Sequence, residues 1–302
     1  MEDSKRIDSV TKKHASRLVK AFGDWKNLPD SFSKKPEGVF GAVATVICNG
    51  VTVNSKELDL EFAVPFDDDL EPNEAEIIIY NLTDDTIKRF SKNKSISIEA
   101  GYEGDTGVIF KGYVNRVRTT FDGADKITTI KAFDDIKDHT IESKTFAAGT
   151  KASVILRWLI DKTGLPVAVF KPRRDHTYEN EQTVDGDIME AIKKYSQVCG
   201  VSTFVLKGKV YSRYIKDGDN INFTVKEETG MLGSPEEYEE EVTAEDYKDI
   251  INGYKINMLL QHRMQTAAIM NVESLITKGS YRVRSGEHIF NETEAITKIK
   301  VM

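Results

Sequence analysis

The chain has 302 residues, 39% of them hydrophobic and 30% charged, with a formal net charge of −7. That length predicts more than one domain, and the balance is that of a chain able to bury a sizeable core. No run of eighteen apolar residues is present, which excludes a membrane-spanning helix, and the negative charge argues against nucleic acid binding through a general positive field.

Residues 1–38 read as an N-terminal arm. Nine Lys/Arg stand against five Asp/Glu in the first 35 residues, and Ile7, Val10, Leu18 and Phe22 sketch one face of a helix that His14 and Arg17 interrupt. The opening MEDSKRIDSVTKKHASRL has no apolar stretch, so no secretory signal peptide is expected.

Residues 39–141 change to a period of two, and a first β-barrel is expected there. Val43–Cys48, Asn49-Gly50 and Val51–Val53 spell a hairpin, because Asn-Gly supplies the positive φ angles of a type I′ turn. Leu58–Val64, Glu74–Tyr80, Ser95–Ala100, Val108–Thr119 and Ile127–Phe133 follow as strands, with Gly112 a predicted bulge or bend. One short helix interrupts them. Thr83 suits its N-cap, Asp84 and Asp85 its first turn, Lys88 and Arg89 its last, and Leu82 and Ile87 stand at staple spacing.

Residues 142–215 predict a small α/β insert. Val154, Ile155, Trp158 and Leu159 follow helical spacing until Gly164 and Pro166. A second helix is expected from Asp187 to Cys199, burying Ile188, Ile192 and Tyr195 and stopping at Gly200. Ser202–Tyr214 reads as a hairpin about Lys207-Gly208. Strands return in residues 216–302: Ile221–Lys226, Tyr254–Leu260, Ala267–Val272, Gly279–Arg284 and Ala295–Val301. Between the first two lies PEEYEEEVTAED, within a stretch from Glu236 to Asp249 that holds eight acids against one lysine; it reads as a solvated loop.

The two strand-rich regions resemble each other. FDGADKITTIKAF (121–133) and FNETEAITKIKVM (290–302) share five residues without a gap: Phe121/Phe290, Ile127/Ile296, Thr128/Thr297, Ile130/Ile299 and Lys131/Lys300. Arg116-Val117-Arg118 and Arg282-Val283-Arg284 precede them, each with a Gly and a Tyr ahead. A one-residue slip would turn either apolar set outward, so matching alternation implies matching registers. The expectation is a mainly β chain: two related antiparallel tube-like barrels flanking an α/β insert, with an N-terminal extension. Two similar surfaces per chain would let a ring of n chains offer 2n similar positions.

Candidate chemistry is sparse. The five histidines (His14, His139, His176, His262, His288) show no metal-ligand spacing, and Cys48 and Cys199 read as small core residues. Gly101–Gly107 lacks the Lys-Ser/Thr of a phosphate loop. Asp134 and Asp135, taken with Asp185 and Asp187, could suggest a glycosidase, yet Asp185 and Asp187 stand at the start of the second helix and suit its cap. Lys171–Arg174, with Tyr178 nearby, could touch phosphate, and reads better as a solvated loop. Asn-Leu-Thr, Asn-Phe-Thr and Asn-Glu-Thr are glycosylation sequons in form only. Neither an enzyme nor a catalytic, cofactor or metal site is expected.

The order EIIIYNL, GVIFKGYVNRV, AAGTKASVILRWL, GSYRVRSGEH and TKIKVM resembles baseplate hub proteins of contractile phage tails and phage tail-like particles, the late control protein D-like family. The resemblance spans about residues 40–302 and leaves the arm out. It implies a homotrimer whose barrels form a pseudo-sixfold ring joining a hexameric tail tube to a trimeric central spike. Implied partners are the tail tube, spike, neighbouring baseplate and tape measure proteins. The implied location is a virion tail or tail-like particle assembled in the bacterial cytoplasm, without membrane or specific nucleic acid contact. Any spike or lytic activity would belong to a separate protein. The inward barrel faces would line a lumen, for which Lys131, Lys298 and Lys300 are the candidates. Other readings are the hub of a non-contractile tail, or a cell-wall-binding or hydrolysing module built on the insert and the acidic loop.

Overall fold

The computed structural model describes residues 41–134, 140–244 and 247–302. The expected arm and its helix, His14, His139 and Asp135 lie outside the described residues.

The first run contains β1 (Ala42–Cys48), β2 (Val51–Asn54), β3 (Leu60–Phe66), β4 (Glu74–Tyr80), β5 (Ser95–Tyr102), β6 (Asp105–Asp122) and β7 (Asp125–Phe133), with helix α1 (Asp84–Arg89) after β4. Asn49 and Gly50 take the positive φ angles expected of them, 47° and 78°. Thr83 caps α1 by accepting the Thr86 N–H at 3.3 Å, and Leu82 and Ile87 pack on the first core as a staple should. Gly112 is needed for a different reason than a bulge. A Cβ there would stand 2.2 Å from the Phe133 carbonyl oxygen, while the bulges fall at Ile98/Glu99 and Val114/Arg116. Alternate residues of all seven strands, among them Val46, Val53, Phe62, Ile77, Ile98, Phe110 and Ile130, meet in one apolar core, so the sheet curls around it although no ladder joins β1 or β2 to β3 among the described residues.

The second run contains β13 (Asp219–Val225), β14 (Met231–Ala244), β15 (Tyr247–Leu259), β16 (Ala268–Glu273), β17 (Lys278–Phe290) and β18 (Ala295–Val301). Its core joins Val225, Ile256, Met258, Met270, Val272, Val283, Ile299 and Val301. The acidic stretch is not a loop. It forms most of β14, laddered residue by residue to β15 from Glu236↔Lys255 to Ala244↔Tyr247. Glutamate disfavours strands in general, but among the described strands β14 ends the sheet with one neighbour, and Glu236, Glu237 and Glu239 stay in water.

The two runs repeat strand for strand. Spatial order is β3-β4-β7-β6-β5-β1 in the first and β14-β15-β18-β17-β16-β13 in the second. The equivalence reaches single residues. Ile77↔Ile130 matches Ile256↔Ile299, and Val114↔Ala132 matches Val283↔Val301. Both long strands then bulge at the same rung, at Asn115 and at Arg284. Thr119 Oγ1 meets Thr128 Oγ1 at 3.4 Å where His288 Nδ1 meets Thr297 Oγ1 at 2.9 Å. The shared Arg-Val-Arg is not part of this equivalence. Val117 pairs with Ile130, whereas Val283 pairs with Val301, two rungs along the matched strands, so that motif is a coincidence of composition. One strand departs from the repeat: β1 runs antiparallel to β5, and β13 parallel to β16.

Between the runs lies an α/β unit with its own core, built from β8 (Thr140–Phe146), α2 (Ala152–Lys162), β9 (Val167–Phe170), β10 (Gln182–Asp187), α3 (Ile188–Cys199), β11 (Ser202–Leu206) and β12 (Lys209–Arg213). Asp187 caps α3 through the Met189 and Glu190 N–H groups, and Gly200 ends it at φ 63°. Helix α2 buries Ile155, Leu156, Leu159 and Ile160, while Val154, expected on that face, is exposed. Strands β8, β9 and β10 carry no clean alternation and were not legible.

Candidate assembly interface

The two runs are one sheet. Strand β3 pairs with β4 on one edge and with β17 on the other, from Gly286↔Phe66 to Phe290↔Phe62. This seam is apolar on its inner face: Phe62 stacks on Phe290 at 5.4 Å, and Phe66 lies 5.0 Å from the His288 ring. Complete burial pushes the His288 imidazole down to about 3, so it stays neutral and acts as a wedge in the core, not a charge. Tyr102 donates to the Ala295 carbonyl at 3.1 Å, and Arg263 reaches Asp105 at 2.6 Å.

The loop after β3 ties all three units together. Buried Asp68 receives Arg282 at 2.7 Å and Arg284 at 3.4 Å, and its carbonyl accepts the Ser202 hydroxyl of the insert. Thr266 donates to the Asp67 carbonyl at 2.8 Å. Asp134 accepts the Asn73 backbone N–H at 2.8 Å; burial pushes its carboxyl up to about 7. Burial, with Asp69 beside it, raises Asp67 to about 6. Both carboxyls sit where the loop after β3 meets the end of β7. Asp134 lines a narrow constriction together with Asp69, Leu70, Glu71, Pro72, Asn73, Met189 and Val205.

The inward barrel faces, expected to line a lumen, are filled by the apolar cores, and the three candidate lysines all lie on the opposite, outward face of the continuous sheet. Lys131 bonds Glu74 at 2.5 Å and nears Glu76 at 3.6 Å. Lys300, its counterpart, faces Lys255 and Ser285 across its ladders and leans to Glu240 at 3.9 Å. Lys298 is exposed between Asn257 and Glu287.

Other residues singled out by sequence take structural places. Arg174 donates to the carbonyls of Gln197 and Val198 at the end of α3, Arg173 lies 3.8 Å over the Tyr214 ring, and Tyr178 packs on His176 and Tyr195. Asp185 and Asp187 both sit in β10; Asp187 caps α3, whereas Asp185, two residues before the helix, does not. Cys48 and Cys199 are buried and unbridged. Among the described residues no group of His, Cys, Asp and Glu is placed to hold a metal, and no helix is long and apolar enough to cross a membrane. The seam itself went unseen in the sequence, since it joins residues more than two hundred apart.

No family model matches the chain, and no curated protein sequence matches it. Solved structures do. The 43 kDa tail protein of prophage MuSo2 from Shewanella oneidensis superposes with TM-score 0.59 at 9% identity, covering 86% of this chain and 97% of that one. A tail protein from Neisseria meningitidis MC58 gives 0.60 at 9%, covering 87% and 96%. A component of the Escherichia coli type VI secretion system, itself described as similar to T4 bacteriophage tail proteins, gives 0.55 at 7%, covering 85% and 76%. The chain thus carries the fold of phage tail proteins and of a type VI secretion component.

Proposed function

We propose that this chain is a structural hub of a baseplate, in a contractile tail or tail-like particle, and not an enzyme. Three copies would close into a pseudo-sixfold ring seated between a hexameric tail tube and a trimeric central spike. The carrying observation is the duplication within one sheet. Two equivalent runs per chain, joined by the β3–β17 ladder, give six near-equivalent arcs when three chains meet. In this reading residues 39–141 and 216–302 are the tube-forming units, 142–215 the insert and 1–38 the arm. The outward face carrying Lys131, Lys298 and Lys300 would line the lumen, with tail tube, spike, neighbouring baseplate and tape measure proteins as partners. The solved relatives named as tail proteins support the setting: a virion tail or a related particle put together in the bacterial cytoplasm.

The test is the mass of the purified chain in solution. Three chains per particle is the expected result; a monomer that persists at high concentration would remove the ring. Release of fragments from peptidoglycan by the purified chain would instead favour a cell-wall hydrolase.

A further inference from the structure

We infer that strand β14 of one chain adds edge-on to the Val117–Phe121 segment of β6 in a second copy, repeating between chains the ladder that β3 and β17 make within one. The inference rests on the ring reading above and adds to it the strands, the register and the charges that close the ring.

The repeat supplies the argument. Strands β3 and β14 hold the same place in the two runs, and so do β6 and β17. The part of β17 that β3 covers is Gly286–Phe290. Its counterpart is Val117–Phe121, because Thr120 pairs with Ile127 just as Ile289 pairs with Ile296. That stretch of β6 has β7 on one edge, while the β5 ladder on the other edge ends at Tyr113. Strand β14 pairs with β15 alone among the described strands. Both halves of a second seam are therefore present, with six strands of sheet between them, and a second copy brings them together.

Side chains on the two open edges match. Phe290 is 4% exposed in the covered seam, whereas its counterpart Phe121 is 72% exposed. Such a difference at equivalent rungs marks the place where a covering strand is due. Arg116 and Arg118 are exposed and make no ion pair among the described residues. Glu236 on β14, which the register below sets on the same face as Arg118, is exposed and likewise unpaired there. Register follows by transfer: Ala63 opposes Glu76 where Glu236 opposes Lys255, so Ala63 and Glu236 are equivalent. The new ladder then sets Thr119 against Glu237 and Arg118 against Tyr238, with Glu236 and Glu240 on its diagonals. Main-chain hydrogen bonds along open edges supply the attraction, and acid against base selects this partner over other strands.

Cysteine pairs read the register directly, and the native Cys48 and Cys199 are buried and will not compete. The full chain carrying Thr119→Cys and Glu237→Cys should oxidise to a covalent species of three chains on a denaturing gel. Thr119→Cys with Glu239→Cys, two residues out of register and about 7–8 Å apart across a diagonal, should not. Independently, Arg118→Glu should weaken association about tenfold or more, and Arg118→Glu with Glu236→Arg should regain it. Circular dichroism checks that each variant keeps its fold. Particles of three chains that neither cross-link in register nor respond to Arg118→Glu would overturn this seam and leave the ring standing. A chain that stays monomeric would overturn both.

Discussion

Phe121 and Phe290 stand on the same rung of the two runs, yet one is bare and the other lies under a neighbouring strand. The rungs around them agree in pairing, in bulge position and in the hydroxyl contact one rung-pair inward. Outer faces diverge. Lys131 finds Glu74 and Glu76 on β4, while Lys300 faces Lys255 and turns to Glu240. The comparison teaches which features the duplicated fold requires and which are free to follow partners. Core rungs are kept, and edges and outward faces are where the two runs have become different.

The largest test of that division strikes the kept rungs. Ile130→Asp and Ile299→Asp each place a carboxylate in a core where the isoleucine is 0% and 2% exposed. Each should cost about 4 kcal/mol or more in urea unfolding, nearly alike in the two runs. A mild effect in either would mean that its rung is not core. Next, Phe290→Ala should cost about 3–5 kcal/mol, and Phe121→Ala close to nothing in the isolated chain. Equal costs would erase the contrast between covered and open seam. Asp68→Asn follows, at about 3 kcal/mol, because it strands Arg282 and Arg284 in a buried site. Thermal melting that barely moves would show the junction to be dispensable.

The smallest effect is a pH dependence. Asp134 has a folded value raised to about 7, above the ordinary 3.8 of the unfolded chain. Between those values the folded state binds the extra proton, so its contribution to stability is whole below about pH 4 and is lost as pH rises through 7. Asp67, raised to about 6, acts in the same direction. From pH 4 to pH 8 the parent should lose about 1–2 kcal/mol relative to Asp134→Asn. Parallel stability curves would contradict a buried, proton-binding Asp134.

Legibility followed the range of the interaction. Turns and caps were readable because one or two residues decide them: Asn49-Gly50, Thr83, Asp187 and Gly200 all took their expected parts. The final strands of both runs were readable because their alternation is strict. The acidic strand was not, since its composition opposes strand formation and only its edge position makes the acids harmless. Arg-Val-Arg misled for the opposite reason, being a local match that the ladder places on different rungs. The seam and the three-unit junction at Asp68 had no local signal at all, because each is made by partners far apart in the chain.

Cryo-electron microscopy of the purified assembly tests the central claim most directly. The account predicts three chains in a ring of six similar arcs, with β3–β17 seams inside chains alternating with β6–β14 seams between them. A ring in which the two runs of a chain do not occupy equivalent arcs, or one joined through other strands, would contradict it.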